Sequence, residues 1–376
     1  VRNFAICGRT VPVFHPDNAS FGALSIDAVP VLCGVVETAD RVLGTKAAAD
    51  RRNVLVRVHA FSCNYRDKSF VVRAASHLPH DRFFVIGSEF VGVVVATGAG
   101  VRRVRPGDRV IGDNTYPHVG PGQWAQRIPA GIPTNGASGE YLVLHEDKVL
   151  QVPRNMPDQV AASFSLGAQT AFSMVDKLAP QAGEPVLVTA ARSNTSLFAI
   201  EALHRRGAVV HVTTSSAMHA DRLLLQGAAS VFVVDAGLPF TSNEALVAAA
   251  RAVGGFVAVV DPFFDLHLLK VLPLMRNGSR YVSCGFHDQA GLSPHPLDGP
   301  APDYHAALVT AIVRNIAILG NCVGLRHHLE QAVSAFETGQ VRVPVDGIFH
   351  GDDAAGFLAR TFTAPDRFGK VVYAYQ

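Results

Sequence analysis

The chain has 376 residues, 48% of them hydrophobic, which is enough to bury a large core and favours two globular domains over one. Lysine and arginine number 33 against 31 aspartates and glutamates, and no basic run clusters on a helical stretch. This balance excludes the footprint of a nucleic-acid or membrane binder and leaves a small molecule as the expected partner. Cys7, Cys33, Cys63, Cys284 and Cys322 are scattered and odd in number, which suits a reducing compartment, the cytoplasm, better than a disulfide framework. Every apolar segment is broken by charge, Gly or Pro short of a membrane span.

From the N-terminus to about residue 155, short β-type runs alternate with Gly, Pro and Asn, as in Val54-Leu-Val-Arg-Val-His59, Phe90-Val-Gly-Val-Val-Val-Ala-Thr97 and Glu140-Tyr-Leu-Val-Leu144. This half is predicted to be a mainly antiparallel β domain. From about Asp158, helical stretches alternate with solid apolar runs: Pro185-Val-Leu-Val-Thr189, Ala208-Val-Val-His-Val212, Ser230-Val-Phe-Val-Val234, Phe256-Val-Ala-Val-Val260 and Arg280-Tyr-Val-Ser-Cys284. Strands covered on both faces by crossover helices read in this way, so the second half is predicted to be a doubly wound parallel sheet. The last fifty residues return to mixed helix and strand and end in Gly369-Lys-Val-Val-Tyr373. The expected division is residues 1–157 with 325–376 in one domain and 158–324 in the other. Val186 to Val212 is the βαβ unit expected to bind a dinucleotide.

Several short motifs follow one another in a recognisable order: Asn64-Tyr-Arg-Asp67, Gly87-Ser-Glu-Phe-Val-Gly-Val-Val94, Val104-Arg-Pro-Gly-Asp-Arg-Val110, Gly139-Glu-Tyr141, Gln169-Thr-Ala171 and the βαβ unit. In order and spacing they resemble the medium-chain dehydrogenase/reductase superfamily over most of the chain. The resemblance implies an α/β protein with a GroES-like, mainly β catalytic domain, a Rossmann domain and an active site in the cleft between them. It also implies a homodimer, formed through an edge strand such as Ala317-Ile-Leu-Gly320.

In zinc-using members a Cys stands where this chain has Asn64, and a His where it has Ser88. A carboxamide and a hydroxyl are poor ligands for an ion that prefers thiolate and imidazole, so no metal is expected. His77-Leu-Pro-His80-Asp81 is a decoy, because Pro79 keeps its two imidazoles from sharing one helix face. Metal-free members resemble quinone oxidoreductases and enoyl reductases. Hydride addition to a conjugated C=C leaves an enolate that hydrogen bonds can stabilise, whereas an unactivated ketone benefits from a Lewis acid. Gln126 to Asn135 resembles an insertion of crotonyl-CoA carboxylase/reductases, but Ile132 and Pro133 replace its usual polar pair, which implies reduction without carboxylation. The implied reaction is NADPH-dependent reduction of an enoyl or enone C=C. The alternatives are a quinone or carbonyl reductase, or a redox-inactive member acting by binding.

The turn after the first Rossmann strand reads Ala190-Ala191-Arg192-Ser193-Asn194-Thr195-Ser196, with no glycine where such turns use them for tightness and close approach to a pyrophosphate. Two readings stay open. In one, Asn194 takes a left-handed backbone and the side chains of Ser193, Asn194, Thr195 and Ser196 donate to phosphate; in the other, the turn only caps a helix. After the second strand come Thr214, Ser215 and Ser216, with His219 where NADP-using relatives often carry Lys. No carboxylate stands there to repel a 2′-phosphate, and Arg192 and Arg222 are candidate cations, which favours NADPH over NADH.

By resemblance, Thr170, Ala191, Cys284, Gly285, Asn321 and Lys370 join the cofactor contacts. Asn64, Tyr65 and Arg66 are the candidate catalytic residues. Tyr65 is expected either to give a proton or to pack in the β core. Arg66 is expected either to pair with Asp67 or to bind an anionic substrate group, and Cys63 to be a small buried hydrophobe. Arg73 to Phe84 and Asp113 to Asn135 are expected to be loops that shape specificity.

Overall fold

A computed structural model describes residues 1–8, 21–39, 41–44, 50–79, 81–115, 136–287 and 303–375. The insertion-like stretch Gln126 to Asn135 and His80 lie outside the described residues. The chain divides into two compact units, Val1–Leu166 with Pro344–Gln376, and Gly167–Val343. The expected return to the first domain at residue 325 is therefore corrected to residue 344. The intervening helix Arg326–Glu337 and the segment after it are bonded to the second unit: Arg205 Nε donates to Gln340, Gln226 Nε2 donates to the Arg342 carbonyl, and the Arg342 N–H donates to Glu201.

The first unit contains β1 (Arg2–Cys7), β2 (Phe21–Ile26), β3 (Val29–Glu37), β4 (Asn53–Ser62), β5 (Phe83–Val85), β6 (Glu89–Thr97), β7 (Arg109–Gly112), β8 (Tyr141–His145) and β9 (Val149–Gln151). Among the described residues these form a sheet of order β2-β3-β1-β5 and part of a second. The second also takes in β16 (Val345–His350) and β17 (Lys370–Ala374), and its order is β16-β17-β4-β6-β7-β9 with β8 against β4. Its pairings are antiparallel apart from β16 with β17. The alternating runs read from the sequence bury one face of this sheet: Val54, Val56, Val58, Phe90 and Val94 join Phe4, Phe61, Phe357 and Tyr373 in one aromatic-rich core. One correction concerns Arg73 to Phe84. Its first five residues end the helix Tyr65–His77, and Phe83 opens β5.

In the second unit β10 (Pro185–Val188), β11 (Val209–Thr214), β12 (Ser230–Val233), β13 (Phe256–Asp261), β14 (Met275–Ser283) and β15 (Ala317–Gly320) form an all-parallel sheet of order β12-β11-β10-β13-β14-β15. This is the doubly wound Rossmann arrangement, with all six residues of β13 buried. The strand order reverses between β10 and β13, and open α/β sheets bind ligands beyond the carboxyl ends of their strands at such a reversal. Among the described residues no helix is long and apolar enough to cross a membrane.

Candidate active site

In the first unit, Asn64 precedes the helix Tyr65–His77, and Asp67 closes its first turn: the Asn64 N–H donates to Asp67 Oδ2 at 2.7 Å. Ser88 Oγ donates to the same oxygen at 2.7 Å and accepts from Asn64 Nδ2 at 3.0 Å. Asp67 and Ser88 are buried, at 2% and 0% exposure. Burial raises the Asp67 carboxyl above its ordinary value, against the opposing Arg66 charge and the bonds from Asn64 and Ser88. Cys63 next door is a buried thiol pushed well above its usual range by desolvation, so it is neither a thiolate ligand nor a nucleophile.

Tyr65 is the first residue of that helix and is half-buried, which corrects the alternative that packs it into the β core. The Lys68 ammonium lies 5.6 Å from its ring centre and pairs with Asp27 at 2.6 Å. The Arg66 guanidinium lies over the Phe70 ring at 5.0 Å.

Lys370 departs from the expected cofactor contact. It is 2% exposed, and its ammonium is spent on Glu89 Oε2 at 3.0 Å, Ser62 Oγ at 3.2 Å and the Cys63 carbonyl at 2.6 Å. A buried ammonium with three donors and three acceptors around it braces β17 against β4 and β6.

In the second unit, the turn after β10 leads into the helix Asn194–Arg205, and Ser193 is its cap, accepting from the Ser196 N–H at 3.1 Å. The left-handed residue is Ala190, φ 44°, rather than Asn194, which is corrected to the first helical residue. The hydroxyls of Ser193 and Ser196 are committed as well. Ser193 Oγ donates to Ser196 Oγ at 2.9 Å, and Ser196 Oγ donates to the Thr189 carbonyl at 2.9 Å. Each hydroxyl has one proton, so neither has one left for a phosphate. Where a glycine would let the helix approach the strand, Ser196 achieves it by bonding to the strand's last carbonyl.

Two features of the turn suit an anionic ligand. The N–H groups of Asn194 and Thr195 have no acceptor among the described residues, as helix starts leave them. The Asn194 amide is 8% exposed, and both its Nδ2 and Oδ1 are buried without a partner. A buried amide without hydrogen bonds is costly, so a ligand or water is needed to complete it. Room for that amide comes from Gly167: a Cβ there would fall well inside contact with Asn194 Nδ2.

In the turn Ala191 is buried with its N–H on the Thr213 carbonyl; Thr170 is 7% exposed on the helix Ser165–Leu178. Arg192 Nη2 reaches Ser215 Oγ at 3.3 Å, joining the turn to the residue just after β11. Thr214 Oγ1 donates to the Ser216 carbonyl at 3.2 Å, Ser216 caps a short helical turn ending at His219, and Arg222 is exposed one turn on. Cys284 follows β14 with its thiol pushed up to about 12 by burial, and the Gly285 carbonyl accepts from the Phe264 N–H. Asn321 is occupied internally: its Oδ1 accepts from Ser173 Oγ at 2.8 Å and its Nδ2 donates to the Val323 carbonyl at 2.7 Å.

Residues 50–154 match the family described as alcohol dehydrogenase GroES-like domain. Acryloyl-coenzyme A reductase of Metallosphaera sedula is 26% identical over 313 residues, 79% of this chain and 85% of that one. A solved structure described as an NAD-dependent alcohol dehydrogenase superposes with a TM-score of 0.74 at 25% identity, covering 100% of this chain and 99% of its own. The chain belongs to the medium-chain dehydrogenase/reductase superfamily. A second solved member, a cobalt- and zinc-bound thermostable alcohol dehydrogenase from Pyrobaculum aerophilum, shares the fold at 22% identity, with a TM-score of 0.70 and full coverage of both chains.

As a member of this oxidoreductase superfamily, the chain holds a neutral, mutually bonded Asn64–Ser88 pair at its two candidate zinc-ligand positions. That donor set does not fit zinc. One metal-like grouping escaped the sequence reading: Asp176, His327 and His328 bring their ligand atoms within 4.8 Å of one another. His328 Nδ1 accepts from the Leu325 N–H at 2.9 Å, which leaves its proton on Nε2, 3.3 Å from Asp176 Oδ2. Asp176 also pairs with Arg206. Burial, with His327 and Lys177, pushes His328 down to about 4, which favours a neutral imidazole beside an ion-paired carboxylate.

Sequence reasoning also missed Gly167, Thr189 and Asp261. The signal available for Gly167 was a glycine in the first turn of a helix, which propensity disfavours unless space demands it.

Proposed function

We propose that the protein is a zinc-independent, NADPH-dependent reductase of activated C=C bonds in enoyl or enone substrates. The observation that carries the reading is the closed Asn64–Ser88–Asp67 cluster, which offers a carboxamide, a hydroxyl and a buried carboxyl where zinc-using members present thiolate and imidazole. A site without a Lewis acid favours a reaction whose developing charge delocalises into an enolate. The acryloyl-coenzyme A reductase relative supports that substrate class.

The bound nicotinamide supplies the hydride. The open N–H groups of Asn194 and Thr195 and the Asn194 amide are the proposed phosphate partners, with Thr170, Ala191, Cys284, Gly285 and Asn321 shaping the cofactor's surroundings. Asn321 would act through its hold on Val323. Arg192 and Ser215, with Ser216 and His219 nearby, favour a 2′-phosphate, because no carboxylate follows β11 to repel it. Tyr65 gives a proton to the enolate or a hydrogen bond to its oxygen, and Arg66 attracts an anionic substrate group.

The test is NADPH oxidation with acryloyl-CoA after exhaustive chelation. Turnover should persist, and Tyr65→Phe should lower it by about 10²-fold or more. Zinc-dependent turnover, or turnover of aldehydes alone, contradicts the reading. A homodimer completes the proposal: among the described residues β15 is an edge strand, its Ile318 is exposed, and so are Leu308, Ile312 and Val313 on the helix Tyr304–Val313 that precedes it. Light scattering giving a monomeric mass would remove it.

A further inference from the structure

One carboxylate of the second unit is closely hydrogen-bonded and has no assigned role. Asp261 ends β13 and is fully buried. It accepts from Thr189 Oγ1 at 2.7 Å, Tyr281 OH at 2.6 Å, His267 Nδ1 at 2.8 Å and the Phe263 N–H at 2.9 Å. Burial alone would raise its pKa, but the bonds from His267, Tyr281 and Thr189 outweigh it and hold the carboxyl below the usual range. It is therefore an anion in the interior, sustained by Thr189 just after β10, Tyr281 on β14, the Phe263 N–H in the loop after β13 and His267 on the helix Phe264–Val271.

Thr189 is where this network meets the turn. Its N–H donates to the Val260 carbonyl at 3.0 Å, its carbonyl accepts from Ser196 Oγ at 2.9 Å, and its hydroxyl is held by Asp261. The next residue is Ala190, φ 44°, a backbone conformation that L side chains rarely adopt. Glycine would take up such a turn without help, but none is present here, so the path must be imposed from outside. With three of its polar atoms tied, Thr189 cannot rotate without breaking bonds to β13 and to the helix that follows.

We propose that Asp261 is a positioning residue for cofactor binding, which through Thr189 locks the start of the glycine-free turn and so aims the open N–H groups of Asn194 and Thr195. The proposal rests on the dinucleotide reading above. Its test compares two variants that each remove one hydrogen bond to Asp261, Thr189→Val on the strand leading into the turn and Tyr281→Phe on a strand that does not. Both should lower the apoprotein's unfolding midpoint. Only Thr189→Val should weaken NADPH binding, by about tenfold or more by fluorescence titration, and Thr189→Ser should restore it to within twofold.

Equal losses in the two variants, or an unchanged Kd in Thr189→Val, overturn the proposal. A second measurement needs no variant: in the apoprotein, the hydrogen-bonded backbone amides of Thr189, Ala191, Ser193, Ser196 and Leu197 should already be protected from hydrogen exchange, and the open amides of Asn194 and Thr195 should gain protection only with NADPH. A segment that exchanges freely until NADPH is added also overturns it. A parent protein that binds neither NADPH nor NADH removes the dinucleotide reading and this inference together, whereas a parent that binds with an indifferent Thr189→Val removes the inference alone.

Discussion

Gly167 and Asn194 should behave as a matched pair. A Cβ at residue 167 would collide with the Asn194 amide and lie 3.0 Å and 3.1 Å from two atoms of the Phe198 ring, and all three residues are packed inside the second unit. Overpacking of this kind costs about 1–3 kcal/mol, because the core can yield only by shifting side chains off their preferred rotamers. Asn194→Ala removes the colliding group and also removes two buried polar atoms without partners, whose cost is of the order of 1–3 kcal/mol. That gain offsets the packing it loses.

Gly167→Ala alone should therefore lower stability by about 2 kcal/mol, roughly 4–8 °C in midpoint for a unit of this size. The double variant should regain most of it, a coupling of about 1–2 kcal/mol. Thermal and urea unfolding of the four proteins, followed through the second unit's transition, measure the cycle. If the two substitutions simply add, the steric account of Asn194 is wrong. The Asn194→Ala protein should also bind NADPH several-fold more weakly, since the open amide is then no longer offered to the ligand.

Three other outcomes follow from the same geometry. Glu201 is 5% exposed and burial raises its carboxyl to about 7 from 4.5, although the Arg342 N–H donates to it. The folded protein thus favours the protonated form. Its contribution is intact below about pH 4.5 and is lost as pH rises through about 7, a loss of about 3 kcal/mol that Glu201→Gln should abolish in unfolding measured at pH 5 and pH 8. Arg192→Ala should weaken NADPH by roughly 5- to 30-fold and leave NADH unchanged, as titrations of both cofactors would show. Lys370→Met strands the fully buried Glu89 and should cost about 3–5 kcal/mol in denaturant unfolding, while a shifted NADPH Kd in the folded variant would return Lys370 to the cofactor site.

The strands of the second unit were legible because burial on both faces leaves solid apolar runs, and each run named from the sequence coincides with a strand of the sheet. The helix Tyr65–His77 was harder to read. Its Val71 and Val72 suit a strand, and only Asn64 with Asp67 three residues on marks its start. The turn illustrates the limit of residue types. An asparagine is the better left-handed residue in isolation, yet Ala190 takes that role because Thr189, Ser193 and Ser196 bond around it. The bonds of Thr189 to Asp261 across 72 residues and of Lys370 to Ser62 across 308 are, in addition, pairings between distant segments. Composition and spacing list the partners without matching them. The same holds for the domain limit, which follows the bonds of Gln340 and Arg342 rather than any break in local pattern.

The most direct test of the central claim is a side-by-side titration of the purified protein with NADPH and NADH, followed by nicotinamide fluorescence and by the shift in unfolding midpoint. The account predicts saturable binding of both with NADPH the tighter, and a midpoint that rises with cofactor concentration. Failure of either cofactor to bind at about millimolar concentration, where even a weak site at ~4 kcal/mol would half-fill, would contradict it.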